Sequence, residues 1–112
     1  MSAPTELLKG NAVLLILSCL AREPMHGYRI ARAMEELSEG YFVLGEGALY
    51  PHLHQLEKDQ FIEGYWDSSS GRERKYYRIT EQGTAELARK KEEWQKFHAK
   101  MSGVLGLATD PA

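Results

Sequence analysis

The sequence predicts an α+β chain that is mostly α: three helices, a β-hairpin and a long last helix. Three observations predict it. Ile30, Met34, Leu37 and Leu49, Leu53, Leu56 both recur at i, i+4, i+7, the period of a helix with one buried face. Two aromatic and β-branched runs, 61–66 and 74–79, flank Asp67-Ser68-Ser69-Ser70-Gly71, a hairpin signal. Finally, Leu87, Trp94 and Met101 stand seven residues apart in a charged segment, which gives one apolar seam on a terminal helix. The 112 residues make one domain's worth of chain. Hydrophobic residues at 43% against 27% charged are enough for a core and argue against disorder.

The first helix is expected from Thr5 to Arg22, with Thr5 as its cap and Glu6 in its first turn. Leu7, Leu8, Leu14, Leu15, Leu17 and Leu20 cover most of its circumference, so it should be buried on several sides. Glu23-Pro24-Met25 ends it, because a residue before proline avoids the helical region. The second helix runs from His26 to Ser38, with Tyr28 and Ala31 near its apolar face and Gly40 as its C′ residue. Tyr41-Phe42-Val43-Leu44 is a short extended link or a single strand. The third helix runs from Glu46 to Gln60. Its Pro51 presses on the carbonyl of Gly47 and should distort the first turn without breaking it. After the hairpin, Thr80 caps the last helix; Gly83 occupies the place where a capping box would put Glu or Gln. Gly103, Gly106 and the tail should fray. Residues 1–80 thus form one unit, 81–107 a terminal helix and 108–112 a frayed tail.

Composition excludes several function classes. The single cysteine, Cys19, rules out an internal disulfide and a multi-cysteine zinc site. It reads as a small buried hydrophobe. The longest apolar stretch, from Ala12 to Ala21, is about half of a bilayer span. No basic region precedes it, so no signal peptide is expected and the cytoplasm is the expected location. His26, His52, His54 and His98 are scattered. His52 and His54 diverge by about 200° on a helix and cannot grip one metal as an i, i+4 pair does. Gly45-Glu46-Gly47 lacks the βαβ setting of a nucleotide loop. No enzyme, metal or cofactor is expected.

The net charge of −2 disfavours nucleic acid at first sight. The charges are segregated, however: Glu35, Glu36, Glu39 and Glu46 in one stretch, Arg72, Arg74, Lys75 and Arg78 in another. Three helices followed by a hairpin with a basic, polar tip are the plan of a winged helix-turn-helix. With Leu49, Leu53 and Leu56 inward, Tyr50, His52, His54, Gln55 and Lys58 face outward and suit a DNA groove. Arg72, Arg74 and Lys75 suit phosphates. A winged-helix module that binds only protein, with neither DNA nor ligand, is the alternative.

Four motifs then carry a family resemblance. Ala48-Leu49-Tyr50-Pro51-His52-Leu53-His54-Gln55-Leu56-Glu57-Lys58 resembles the recognition helix of the PadR family of bacterial transcriptional regulators. His26-Gly27-Tyr28, Gly71-Arg72-Glu73-Arg74-Lys75-Tyr76-Tyr77 and Ile79-Thr80-Glu81-Gln82-Gly83 match in the same order. The resemblance spans Leu7 to Met101 and points to the short type with one C-terminal helix. It departs at Gln60, where glycine is usual, and in the acidic balance. It implies a dimeric DNA-binding repressor, often released by a small molecule.

Two expectations concern the last helix. Leu87, Trp94, Phe97, Met101 and Leu105 should form a homodimer interface, because a lone terminal helix has little of its own domain to cover its seam. Its DNA would be a double-stranded operator of two-fold symmetry. Trp94 near the axis, with Leu15, Ser18, Cys19 and Phe97 as neighbours, could stack a planar aromatic ligand.

Overall fold

The structure, a computed structural model, describes residues 1–107. The frayed tail expected over 108–112 lies outside them. The elements are α1 (Thr5–Leu20), β1 (Met25–His26), α2 (Gly27–Leu37), α3 (Glu46–Lys58), β2 (Ile62–Asp67), β3 (Arg74–Ile79) and α4 (Glu81–Leu105). This is the winged helix-turn-helix order with one added terminal helix. The sheet is antiparallel in the order β1-β3-β2. Met25 pairs with Tyr77 across β1 and β3, and Ile62 with Ile79 across β2 and β3.

The core lies where α1, α2 and α3 meet the sheet. Ile16, Leu17, Ile30, Leu49 and Leu53 are sealed from solvent, and Leu56, Ile62, Tyr77 and Leu87 join them. The α3 stripe is therefore buried as its spacing requires, and Pro51 leaves the helix unbroken. Two helical stripes are less buried than the sequence implies. Leu7 on α1 and Leu37 on α2 are more than half exposed, as is Tyr28. Thr5 is the first residue of α1, not its cap; Pro4 holds the cap position without a side-chain bond. The extended link 41–44 forms no strand, whereas Met25, read as the end of a break, and His26, read as the start of the second helix, pair with β3.

Helix ends explain the turns. α2 and α3 both close with paired 5→2 and 6→1 backbone bonds. Glu39 N–H donates to the Glu36 carbonyl and Gly40 N–H to that of Glu35. Gln60 N–H donates to Glu57 and Phe61 N–H to Leu56. The left-handed C′ residues are thus Glu39 (φ 53°) and Gln60 (φ 66°), neither of them glycine. Gly40, expected at C′, comes one residue later. At the start of α4, the Thr80 hydroxyl accepts from Gly83 N–H at 3.0 Å, as expected. A side chain at Gly83 would run into the Phe61 carbonyl oxygen, which is why no Glu or Gln completes a capping box there. At its far end α4 does not fray at Gly103; it continues to Leu105 and is capped by Gly106 at φ 72°.

Beyond Leu87, α4 runs beside α1 with most of its surface in water. From Lys91 to Leu105 every residue but Ser102 is exposed. The radius of gyration, 15.5 Å, exceeds the about 13 Å of a compact domain of this length.

Candidate nucleic-acid interface

Burying Leu49, Leu53 and Leu56 turns the opposite face of α3 outward, and the turn after α3 swings the β2–β3 hairpin up beside it. Between them lies an open groove of about 690 Å³. Glu46, Tyr50 and His54, successive i, i+4 neighbours on α3, form one wall. Trp66, Arg72, Glu73, Arg74 and Lys75 of the hairpin form the other, and His26, Gly27 and Tyr28 close one end.

The residues expected to meet DNA divide accordingly. Tyr50, His54, Arg72, Arg74 and Lys75 line the groove. His52, Gln55 and Lys58 lie on α3 outside it. His52 is half-buried, and the Gln55 amide donates to Asp59 at 3.0 Å. Tyr50 packs so closely over Gly27 that any side chain there would meet its hydroxyl, at 2.7 Å from the added carbon. Gly27 thus sets how near α2 and α3 can come.

Lys75 has another duty. Its Nζ pairs with Glu57 Oε1 at 3.2 Å, while Glu57 Oε2 accepts from Gly64 N–H. The three tie the hairpin to α3, so Lys75 positions the wing. Arg78 is engaged too, at 3.1 Å from Glu63 and stacked 4.1 Å above the Tyr65 ring. Arg72 makes no ion pair among the described residues, and Arg74 contacts only a histidine. Of the side chains lining the groove, these two are the guanidiniums open to an anion. Half of the acidic stretch seen in the sequence is answered locally, since Arg29 and Arg32 pair with Glu35 and Glu36 along α2.

Sequence reasoning missed His26, Tyr28 and Trp66. His26 Nδ1 accepts from Arg29 N–H at 3.2 Å and so caps α2. Its Nε2 lies 2.9 Å from Arg74 Nη1, a partner 48 residues away. Burial, then Arg74 and Arg29, hold His26 below its ordinary value, against a smaller opposing pull from Glu46. The shift favours the neutral ring. Trp66 is 65% exposed on the strand face that looks into the groove; its aromatic character had been absorbed by the strand signal.

At the other end of the molecule, Trp94, Phe97, Met101 and Leu105 line one exposed stripe of α4. Leu87 does not belong to it: it is buried in the chain's own core, because α4 is still against the body there. Two shallow cavities flank Trp94. One, of about 240 Å³, lies against Gly10, Asn11, Val13 and Leu14. The other, about 420 Å³ and mostly apolar, reaches Leu7, Tyr41, Phe42 and Met101. Leu15, Ser18 and Cys19, expected beside Trp94, line neither. Ser18 follows Leu14 by one turn on the same face of α1, past the end of both cavities, and Cys19 is enclosed in the core, where burial pushes its thiol up. The His98 ring stacks parallel to the Trp94 indole at 5.0 Å.

The fold and much of the sequence are shared with known proteins. The PadR-like transcriptional regulator family matches residues 16–89. An uncharacterised protein of Lysinibacillus sphaericus is 34% identical over 91 residues, which is 80% of this chain and 84% of that protein. The transcriptional regulator YqjI of Escherichia coli is 32% identical over 84 residues, 75% of this chain but 39% of YqjI. The structure of a transcriptional regulator from Clostridium thermocellum superposes with a TM-score of 0.82 at 28% identity, covering 90% of this chain and 96% of that one.

Proposed function

The chain belongs to the PadR-like transcriptional regulator family, a family of regulators and not of enzymes, and from that premise we propose that it is a homodimeric repressor that binds a two-fold symmetric operator. One observation carries the DNA reading. The exposed face of α3 and the two uncommitted guanidiniums, Arg72 and Arg74, open onto the same groove. α3 enters the major groove, and the hairpin holds the flanking backbone. A DNA target places the protein in the cytoplasm. Selection of bound duplexes from random DNA tests this. It should recover a two-fold symmetric site with half-site centres about 34–36 Å apart, or a small multiple. No enrichment of any duplex would favour the protein-binding module instead.

The dimer reading rests on α4. Trp94, Phe97, Met101 and Leu105 form an apolar stripe of α4 that the chain's own α1 covers only in part. Burying the exposed half of each against a second copy is worth about 0.7–1.5 kcal/mol. In such a dimer the paired Trp94 indoles lie near the axis and form a slot for a planar aromatic molecule, whose preference for one spacing of the two α3 helices releases the operator. The support is the half-exposed indole between two cavities, already stacked on one flat ring, His98. Tryptophan quenching in Trp66→Phe, where Trp94 alone reports, checks it. A broad panel of planar aromatics that neither quenches nor alters operator affinity would leave Trp94 as interface packing.

A further inference from the structure

We propose that His26 and Arg74 form a two-donor clamp for a backbone phosphate of the bound duplex. The inference rests on the DNA reading above, and it adds a contact from the start of α2 that neither the recognition helix nor the hairpin tip supplies.

A neutral imidazole carries one N–H and one acceptor nitrogen. His26 Nδ1 accepts from Arg29 N–H, so Nδ1 is bare and the ring proton sits on Nε2. Nε2–H then faces Arg74 Nη1 at 2.9 Å. A guanidinium only donates. Two donors therefore point into one space with no acceptor between them. If Nε2 were bare instead, Nδ1–H would oppose Arg29 N–H and α2 would lose its cap. Whichever nitrogen holds the proton, one contact fails. An oxyanion resolves the conflict, since it accepts from both donors and leaves the cap intact.

The surroundings suit a phosphodiester. The site opens into the groove beside exposed Arg72, and Tyr28 and Tyr76 hold the imidazole plane by stacking at 6.4 Å and by an edge contact at 5.3 Å. The charged groups facing His26 are Arg29 from its own helix, Arg74 from β3 and Glu46 from α3. Two are cationic, so the neighbourhood favours an anion. Glu46 opposes it and keeps a free small anion from being held strongly.

The experiment compares His26→Asn with the full-length wild type. Asparagine is among the best caps, so the fold should be kept while the Nε2 donor is lost. Affinity for operator and random duplex alike should fall about ten-fold per half-site, as for a lost hydrogen bond to a charged group. The salt slope should not change, because a neutral donor releases no counterion. Arg74→Gln should also weaken binding but flatten the slope by about 0.9 per site. The double variant should lose less than the product of the two, since both act on one phosphate. Wild-type affinity in a folded His26→Asn would overturn the clamp alone. A wild type that binds no duplex would overturn the DNA reading with it. A second measurement needs no variant: ¹⁵N spectra of the wild-type histidines. His26 should show Nε2–H with bare Nδ1, and Nε2 should shift on adding duplex but not on adding inorganic phosphate at the same phosphate concentration. The opposite tautomer, or an equal shift with inorganic phosphate, would refute the assignment.

Discussion

Replacing Gln60 with glycine should stabilise the protein. Gln60 closes α3 in the left-handed region at φ 66°. For an L-residue that conformation costs about 1–2 kcal/mol. Glycine removes this cost but brings back about 0.5–1 kcal/mol of chain freedom in the unfolded state. Nothing else is lost. The Gln60 side chain is exposed, and the bonds at this position belong to the backbone: its N–H to Glu57, and its carbonyl accepting from the Thr80 hydroxyl at 2.7 Å. The net gain is about 0.5–1 kcal/mol, or about 2–4 °C in Tm. Thermal and urea unfolding read it, at one fixed protein concentration because the proposed dimerisation would couple to unfolding. Glu39→Gly, at φ 53° on α2, should behave alike. A loss of stability in both variants would refute the reasoning.

Three further outcomes follow from the same packing. Gly83→Ala should cost about 2–3 kcal/mol, since the added carbon meets the Phe61 carbonyl and lies 2.8 Å from Ile79; a Tm within 2 °C of wild type, on the scale of about 4 °C per kcal/mol, would contradict it. Phe97→Glu with Met101→Glu should sediment at the 12.7 kDa of one chain and keep its helical circular dichroism, because both side chains are exposed within the chain; a persisting dimer would place the interface elsewhere. Because His26 is held below the about 6.5 of an unfolded histidine, the stability it contributes is present above that pH and lost as pH falls through its lower folded value. His26→Asn should therefore lose less stability than wild type between pH 7 and 5, read by urea midpoints; parallel curves would contradict it.

Local signals made much of the fold legible in the sequence. The α3 stripe of Leu49, Leu53 and Leu56 and the Ser/Gly turn after Asp67 each depend on neighbours a few residues away, and both were read to within a residue or two. What stayed hidden depends on distant partners. β1 is two residues long and exists only because Met25 and His26 meet Tyr77 and Tyr76. Leu87 and Trp94 share a seven-residue spacing, yet one joins the core cluster and the other stays half-exposed at the edge of α1. Lys75 looked like a free cation until the fold brought Glu57 to it from 18 residues away. Half of the interface was visible as a basic hairpin and a polar helix face. His26 was not, since neither its cap nor its contact with Arg74 leaves a local trace.

The salt dependence of operator binding tests the central claim most directly. Arg72 and Arg74 each meet a phosphate if the groove between α3 and the hairpin is the DNA interface. Replacing both with alanine removes four contacts from a dimer. The slope of log K against log salt should flatten by about 3.6, at about 0.9 per contact, and binding to all duplexes should weaken together. A double variant that keeps the wild-type slope and affinity across a range of salt would place the DNA, if bound at all, on another face.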